Sequence, residues 1–255
     1  MLILNRRKKL TLKLETVYFA DDPFKYETDA DIVLFYLSTL QTPNARVFHT
    51  LRIDLLKPEE QLFSELEGTT RKRIRRAEKS GGFPIRFYNA PNPQVIDEFC
   101  NNYDEFANTK GIAVSDRDLL KMAQKQNALS ISMLSGMNGE ILCGAAEIHD
   151  GEIALGMYSF SHFRRYKDNT VRNMISNANK YLYWQLIRHC KQHGFAILDM
   201  GGLGMGQETS DLDSVDKFKL GFGGEIRTLY HFYQARTLKG RLALLVIRKN
   251  RQIRY

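Results

Sequence analysis

Apolar and polar residues alternate loosely along the first fifth of the chain, in segments rich in Thr, Val and Tyr. This alternation is typical of half-buried strands. Three strands are expected, over residues 10–19, 31–40 and 46–55, and the Thr-Pro-Asn of residues 42–44 predicts a turn between the last two. The chain therefore begins with a β-rich segment.

Helical spacing begins after the third strand. Pro58 suits the first turn of a helix, and Glu59 and Glu60 suit its positive end. The apolar residues that follow form one stripe facing a core. The helix is expected to continue through a run of basic residues as far as residue 79, and an interruption near Gly68 is the alternative to one unbroken helix.

A glycine pair, Gly81 and Gly82, predicts the end of this helix. The run that starts at Pro84 opens a new pattern, so the main internal boundary is expected at the glycines. We therefore predict an N-terminal β-rich part of residues 1–82 and a larger part of residues 83–255.

A regular order of elements is predicted after this boundary. A strand and two helices come first, and turn signals at residues 138–139 (Asn-Gly) and 150–151 (Asp-Gly) then predict three antiparallel strands in series. Apolar residues at helical spacing predict a long helix from about residue 173 to residue 193. The buried strand after this helix, residues 195–200, is expected to pair in parallel. A short helix, a last strand and a basic C-terminal helix complete the order.

The composition is that of a folded globular protein, since hydrophobic residues make up 43% and charged residues 26% of the 255 residues. The three cysteines form no Cys-x-x-Cys pair and the six histidines are scattered along the chain, so we predict free thiols and no metal. No apolar run approaches the ~20 residues that cross a bilayer, and the basic N-terminus lacks the apolar core of a signal peptide. The expected location is the cytoplasm.

The formal net charge of +8 implies an anionic partner: nucleic acid, a phosphorylated cofactor, a phosphorylated sugar or lipid, or a membrane surface. The basic residues of 71–79 could bind nucleic acid, although their spacing also fits a solvated helix face. The C-terminal helix places basic residues, as far as Arg251 and Arg254, around leucines. It could rest on an anionic membrane at the inner face, and packing against its own domain is the alternative.

Five segments resemble the FemABX-like branch of the GNAT acyltransferase superfamily; they are residues 48–55, 70–79, 179–184, 194–202 and 215–225. The resemblance implies an α+β GNAT fold, with a mixed, mainly antiparallel twisted sheet flanked by helices. FemABX ligases with paired domains carry a complete first GNAT domain. Only about eighty residues precede the boundary here, so the N-terminal half is expected to be a truncated one.

The resemblance also implies an activated donor, either acyl-CoA or an aminoacyl-tRNA, and both carry phosphates. A helix N-terminus offers unpaired N–H groups to an anion. We therefore predict that the loop entering the long helix binds the donor, through Arg164, Arg165, Arg172, Asn173 and Asn177. An ordinary solvated basic loop is the alternative.

In the GNAT pattern, the strand before this loop and the strand after the long helix splay apart and hold the donor's carbonyl. Asp199, at the end of the second of these strands, is the candidate base, and its alternative is a structural carboxylate bonded to the glycine loop that follows. Glu147, Tyr158 and His162 are further candidates for the chemistry. The resemblance also extends to Lys217 and Lys219, beside a glycine-rich turn, and to Tyr181 and Trp184, which are expected to bind substrate. For the two lysines, a short amphipathic helix with solvated side chains is the alternative.

Three functions remain open from the sequence. The first is an N-acyltransferase that uses acyl-CoA to modify an amine of a cell-envelope precursor, such as an amino sugar or a lipid- or peptide-linked amine. The second is a FemABX-like ligase that adds an amino acid from aminoacyl-tRNA to a peptidoglycan-type precursor. A non-catalytic nucleic-acid-binding module is a distant third.

Overall fold

The computed structural model describes residues 1–9, 12–20, 23–204 and 210–249; at residues 5–9, 210–213 and 247–249 it describes the backbone alone. Its strands are β1 Leu2–Lys9, β2 Leu12–Tyr18, β3 Ile32–Ser38, β4 Arg46–Asp54, β5 Ile85–Tyr88, β6 Leu129–Ser135, β7 Ile141–His149, β8 Ile153–Ser161, β9 Ile197–Gly202 and β10 Glu225–Ala235. Its helices are α1 Glu59–Glu65, α2 Gly68–Lys79, α3 Pro93–Lys110, α4 Arg117–Lys125, α5 Asn169–Gln192, α6 Ser210–Leu220 and α7 Leu238–Lys249, with a short 3₁₀ turn at His162–Arg165.

The chain forms two compact units, and they do not follow the predicted boundary between residues 82 and 83. One unit contains the chain up to His49 and again from Thr228, and the other is Thr50–Arg227. The end of β4 and the helices α1 and α2 belong to the second unit, because β4 pairs with β9 and α2 packs along α5. The predicted helix over residues 58–79 is interrupted just before Gly68, between α1 and α2, as the alternative had it.

The sheet of the second unit has the strand order β4-β9-β8-β7-β6-β5. Neighbouring strands pair antiparallel, except for β8 and β9, which are parallel. The two predicted hairpins and the parallel strand after the long helix are therefore confirmed, and so is an α+β fold with a mainly antiparallel sheet flanked by helices. The parallel pair is the position of interest, because its two strands are joined by α5 across one face of the sheet.

The long helix α5 organises the core of this unit. Its apolar side packs Trp184, Leu186 and Ile187 against the sheet and against the apolar residues of β4 and α1. The helix begins at Asn169, earlier than the predicted residue 173, because the Asp168 side chain caps it by accepting a hydrogen bond from the Thr170 N–H. The first turn of α5 therefore already has a carboxylate at its N-terminus.

The first unit pairs β1 with β2 antiparallel, β2 with β3 parallel and β3 with β10 antiparallel. Its core contains Val17, Val33, Phe35 and Phe232. The strand β1 was not predicted, because its run of basic residues conceals the alternation. Asp31 ties the unit together, accepting hydrogen bonds from the Lys13 N–H and the Thr237 hydroxyl.

The predicted C-terminal helix is present as α7, and its last basic residues, Arg251 and Arg254, lie outside the described part of the chain. Four of its apolar side chains point into solvent: Leu238, Leu242, Leu245 and Val246 are 77%, 66%, 63% and 62% exposed. These positions share one helix face. Among the described helices, none is both long and apolar enough to cross a membrane.

Candidate active site

The parallel strands β8 and β9 separate after a short paired stretch. Within the described residues they pair at three positions, the last being Leu155 with Asp199. On the other side, β8 stays paired with β7 as far as Ser161, through an irregularity at which Ala146 faces Tyr158 and Glu147 faces Gly156. The extra residue, Met157, forms a bulge that bends β8 away from β9. Backbone groups of β8 beyond Leu155 are thus left without a ladder partner in β9.

A cavity of about 230 Å³ occupies this gap and is lined from both faces of the sheet. On one face Tyr158 packs against Tyr103 of α3, with ring centroids 4.8 Å apart. On the other face lie Tyr183 of α5 and Lys219 of α6. Because neighbouring residues of a strand point to opposite faces, a cavity that meets both sets of side chains passes through the sheet. The gap expected between these strands is therefore present.

A second cavity, of about 480 Å³, adjoins the first and shares Lys219, Tyr183 and Ser159 with it. We call the two cavities together the cleft. The larger one is lined by six basic side chains and one acidic side chain among the described residues: Arg73, Lys110, Arg164, Lys180, Lys217, Lys219 and Glu67. A concave surface with this balance has a positive potential that favours an anionic ligand.

Asp199 is fully buried, and both of its carboxylate oxygens accept hydrogen bonds. One oxygen accepts from the Thr50 hydroxyl and, at 2.9 Å, from the Gly201 N–H. The other accepts from Nε of Arg52 at 2.9 Å. Of the two roles considered for this residue, the geometry favours the structural one: a carboxylate that ties β9 to β4 and to the glycine loop that follows.

Glu147 is the opposite case. It is 1% exposed, it lines the smaller cavity, and neither of its carboxyl oxygens has a hydrogen-bond partner among the described residues. Burial raises the pKa of Glu147 to about 8, against a smaller opposing effect of its own backbone N–H. The nearest titratable groups on α5, Tyr183 and Cys190, also have raised pKa values because of burial. The carboxyl group is therefore neutral at neutral pH and directed into the cavity.

The raised pKa of Glu147 has a consequence for stability. The folded protein holds this proton up to about pH 8, whereas the unfolded chain loses it near the ordinary value of 4.5. The folded state therefore binds more protons than the unfolded state across this window, and the stability falls as pH rises through it. In the free protein this carboxyl group destabilises the fold, in contrast to Asp199.

The two other candidates for the chemistry are differently placed. The Tyr158 hydroxyl borders the smaller cavity and accepts a hydrogen bond from the Asp116 N–H at 3.0 Å, and burial raises its pKa. His162 is buried beside Asn102, with Nε2 and Oδ1 3.0 Å apart, and burial lowers its pKa to about 4. The hydroxyl of Tyr158 is therefore a neutral polar group at the gap, and His162 is a neutral side chain behind it.

The three arginines of the predicted donor loop have different surroundings. Arg164 lines the larger cavity and stacks over the Phe163 ring at 4.7 Å. Arg165 forms a bidentate ion pair with Glu105, at 2.6 and 2.7 Å. Arg172 lies over the same phenylalanine ring at 5.7 Å and is exposed. Arg164 is thus the arginine of this loop that the structure brings to the cleft.

The two asparagines predicted with this loop lie farther along the helix. Asn173 is exposed and Asn177 is half-buried. The helix N-terminus that was expected to receive phosphate is capped by the Asp168 carboxylate, which repels a second anion. The positive potential comes from side chains across the cleft instead.

Of the residues predicted to bind substrate, the two lysines line the cleft and the two aromatic residues do not. Lys219 lines both cavities, donates a hydrogen bond to the Gly202 carbonyl at 2.6 Å, and has its pKa lowered by burial. Lys217 is exposed at the rim of the larger cavity. Trp184 is buried in the core beside Phe63, and Tyr181 packs toward α2, because both face the elements that cover α5. The structure gives these two aromatic residues a packing role rather than contact with the cleft.

Lys180 is a cleft residue that sequence reasoning missed. Its ammonium group donates to the Phe218 carbonyl at 2.8 Å and lies 4.2 and 4.5 Å from the ring centroids of Phe218 and Phe222. Burial lowers its pKa to about 8. The sequence did contain a signal for it, because Lys180 falls at a position of α5 that the helical spacing places on the buried side. Arg73 was missed as well, because the regular spacing of the basic residues on α2 favoured a solvated face.

No group of three potential metal ligands comes together within the described residues. The cleft therefore offers basic side chains, backbone groups, tyrosine hydroxyls and one neutral carboxyl group. This arrangement can bind a phosphorylated ligand in the larger cavity and place a small group of it in the gap.

A family model described as an acetyltransferase (GNAT) domain matches residues 65–209, which is more than half of the chain. None of the curated protein sequences matches the chain. Among solved structures, FemX is similar with a TM-score of 0.60 and 13% identity, over 78% of this chain and 63% of FemX. The chain thus spans less than two thirds of the length of FemX.

Two further structures share the fold. The C-terminal (DUF2156) domain of a putative lysylphosphatidylglycerol synthetase from Agrobacterium fabrum has a TM-score of 0.50 and 14% identity, over 84% of this chain and 71% of that one. A conserved protein of unknown function from Bacteroides thetaiotaomicron has a TM-score of 0.51 and 10% identity, over 79% and 68%. At such low identities the likeness concerns the fold alone.

Proposed function

This chain belongs to the GNAT acetyltransferase family and is an acyltransferase, and we propose that its cleft transfers an aminoacyl or acyl group from a phosphorylated donor to an amine of a cell-envelope precursor. The observation that carries the proposal is the gap between β8 and β9, which opens into a cavity lined by six basic side chains. The basic wall binds the phosphates of the donor, and the gap receives the carbonyl carbon.

The backbone of β8 and the Lys219 side chain have different roles in the proposed transfer. Backbone N–H groups of β8 beyond Leu155 lack partners in β9 and bond the carbonyl oxygen as it gains negative charge. Lys219 lies where the two cavities join and adds a positive charge near the same point. The amine of the acceptor attacks the carbonyl carbon, a C–N bond forms, and the bond to the leaving oxygen or sulfur breaks. The proton of the amine ends on that leaving atom.

The surface of α2 favours aminoacyl-tRNA over acyl-CoA as the donor. Arg73 lines the cleft, and the neighbouring face of α2 carries a row of exposed basic residues: Lys72, Arg75, Arg76 and Lys79. A row of this length matches successive phosphates of a polynucleotide, whose binding depends on many such charges. A single pyrophosphate would use only the cleft. The capped N-terminus of α5 also supports a donor held by side chains.

Arg164 and its neighbour Arg165 provide a matched test of donor binding. Arg164→Gln is expected to weaken binding of deacylated tRNA about tenfold, equivalent to ~1.4 kcal/mol, because it removes a charge from the cleft wall. Arg165→Gln is expected to have a smaller effect, since its charge is already paired with Glu105. Affinity is measured by fluorescence anisotropy with labelled tRNA, in competition with coenzyme A.

The outcomes separate the possible donors. Salt-sensitive binding of tRNA, weakened by Arg164→Gln, supports an aminoacyl-tRNA donor. Tighter binding of coenzyme A than of tRNA would instead favour acyl-CoA. Binding of neither ligand, or equal effects of the two substitutions, would contradict the proposed use of the cleft wall. Equal affinity for random duplex DNA would favour the nucleic-acid-binding module.

We also propose that α7 rests on an anionic membrane, near a lipid-linked acceptor. Leu242 and Leu245 are exposed on the same face of α7, and Lys239 and Arg241 flank them, the pattern of an interfacial helix. The double substitution Leu242→Gln and Leu245→Gln is expected to reduce co-sedimentation with phosphatidylglycerol vesicles several-fold, while Leu56→Gln, exposed in the other unit, leaves it unchanged. Equal co-sedimentation of both variants would remove this part of the proposal.

A further inference from the structure

The carboxyl group of Glu147 is in an unusual position for a side chain in the middle of a strand. It lies on β7 between paired strands, it is buried, and both of its oxygens lack hydrogen-bond partners within the described ranges of the chain. An unpaired buried carboxyl group costs free energy that a hydrophobic residue at the same place would not. The cavity in front of it provides room for a group that would satisfy both oxygens.

The groups around the carboxyl define which ligand it would accept. The Tyr183 ring of α5 lies on the same face of the sheet as the carboxyl, and the rings of Tyr103 and Tyr158 line the cavity from the other face. Aromatic rings favour a cation over an anion. Two lysines border the same cavity. Lys219 donates to the Gly202 carbonyl and Lys110 lies 5.3 Å from the centre of the Phe106 ring, and burial and the backbone, rather than either lysine, set the pKa of Glu147. Among the described residues, then, no basic group already neutralises this carboxyl. A ligand with an ammonium group would do so.

We propose that Glu147 recognises an ammonium group carried by the transferred group itself, so that the cavity selects aminoacyl groups over uncharged acyl groups. The inference rests on the proposed function, since it places the donor's carbonyl in the gap between β8 and β9. The cavity's volume of about 230 Å³ admits a small aminoacyl group but not an envelope precursor. When the ammonium enters, the carboxyl loses its proton to solvent and a buried ion pair with hydrogen bonds forms.

Binding of small amides tests this recognition without requiring transfer. Alaninamide and lactamide differ only in an ammonium and a hydroxyl group. The wild-type protein is expected to bind alaninamide at least about tenfold more tightly, equivalent to ~1.4 kcal/mol, because a hydrogen bond between charged groups is stronger than one between neutral groups. Glu147→Gln is expected to abolish the preference, and Glu147→Asp to retain part of it. Glu98→Gln, on the exposed face of α3, is the matched control and should bind like the wild type.

Transfer kinetics separate recognition from general-base catalysis. With alanyl-tRNA and its deaminated analogue lactyl-tRNA as donors, recognition predicts that Glu147→Gln raises KM for the alanyl donor alone. An equal loss of kcat with both donors would show a general base and overturn the inference. Equal binding of the two amides by the wild type, or an unchanged preference in Glu147→Gln, would also overturn it.

Two controls keep the result interpretable. Glu147→Gln is expected to fold and to gain stability relative to the wild type as pH rises toward 8, because it removes the titration described above; chemical denaturation measures this. Failure of the inference and of the proposed function are distinguishable. Transfer without amide preference contradicts only the inference, whereas amide preference without transfer from any donor contradicts the proposed function and leaves a cation site.

Discussion

Replacing Asp199 by alanine is expected to lower the free energy of unfolding by roughly 3–5 kcal/mol, the range found when one partner of a buried ion pair is removed. The Arg52 side chain is 16% exposed and pairs with Asp199 at 2.9 Å, so the substitution leaves a largely buried guanidinium without its anion. It also leaves the Thr50 hydroxyl and the Gly201 N–H without an acceptor. Urea denaturation followed by circular dichroism measures the change.

Two comparisons decide whether Asp199 is structural or a base. Asp54→Ala removes an exposed carboxylate of the same strand pair, bonded to the Leu56 N–H, and is expected to cost less than about 1 kcal/mol. Asp199→Asn keeps the shape but loses the charge, so its stability should lie between those of the wild type and Asp199→Ala. An Asp199→Asn protein with wild-type stability and no transfer activity would contradict the structural role and would support Asp199 as the general base.

The order of elements in the second unit could be predicted because local signals decide it. The turns at residues 138–139 and 150–151 each connect two strands that pair directly. The spacing of apolar residues in α5 reflects its burial and needs no knowledge of the partner elements. The start of α5 was placed too late because Asp168, the residue that caps it, stands in a basic loop.

The compact units could not be predicted, because they depend on contacts between distant parts of the chain. The glycine pair at Gly81 and Gly82 ends α2 as expected, and both glycines have positive φ. A helix end is a domain boundary only if few contacts cross it. Here α2 packs along α5, about a hundred residues later, and β4 pairs with β9, so residues 50–82 belong with the larger unit.

The two carboxylates of the site show the same limit at the level of single residues. Sequence reasoning placed both Asp199 and Glu147 near the separating strands, and both border the smaller cavity. It could not tell which one would find partners. The residues that bind Asp199, Thr50 and Arg52, lie 149 and 147 positions away, and in the part of the chain that the structure describes no side chain bonds to Glu147 in this way. Long-range register, and not residue type, assigns the two carboxyl groups opposite roles.

Lys219→Met is expected to reduce kcat of acyl transfer by about a hundredfold to a thousandfold, the effect of removing one stabilising group from a developing oxyanion. Two basic residues, Lys219 and Lys110, line both cavities. The ammonium group of Lys219 lies on the α6 side of the gap. The carboxylates of Asp216 and Asp199 favour its charged form against the effect of burial. Methionine keeps an unbranched side chain and removes the ammonium group, with its charge and its hydrogen bond to the Gly202 carbonyl.

The loss must be catalytic rather than structural for this role to hold. The hydrogen bond to the Gly202 carbonyl is lost as well, so the free energy of unfolding should fall by no more than ~1–3 kcal/mol. KM for the donor should change little, because the other five basic side chains of the larger cavity remain, and Lys219→Arg should recover part of kcat. Lys125→Met, at the exposed end of α4, is the control for loss of a lysine. An unchanged kcat in folded Lys219→Met would exclude Lys219 from the transfer step, and oxyanion stabilisation would then rest on the unpaired backbone of β8 alone.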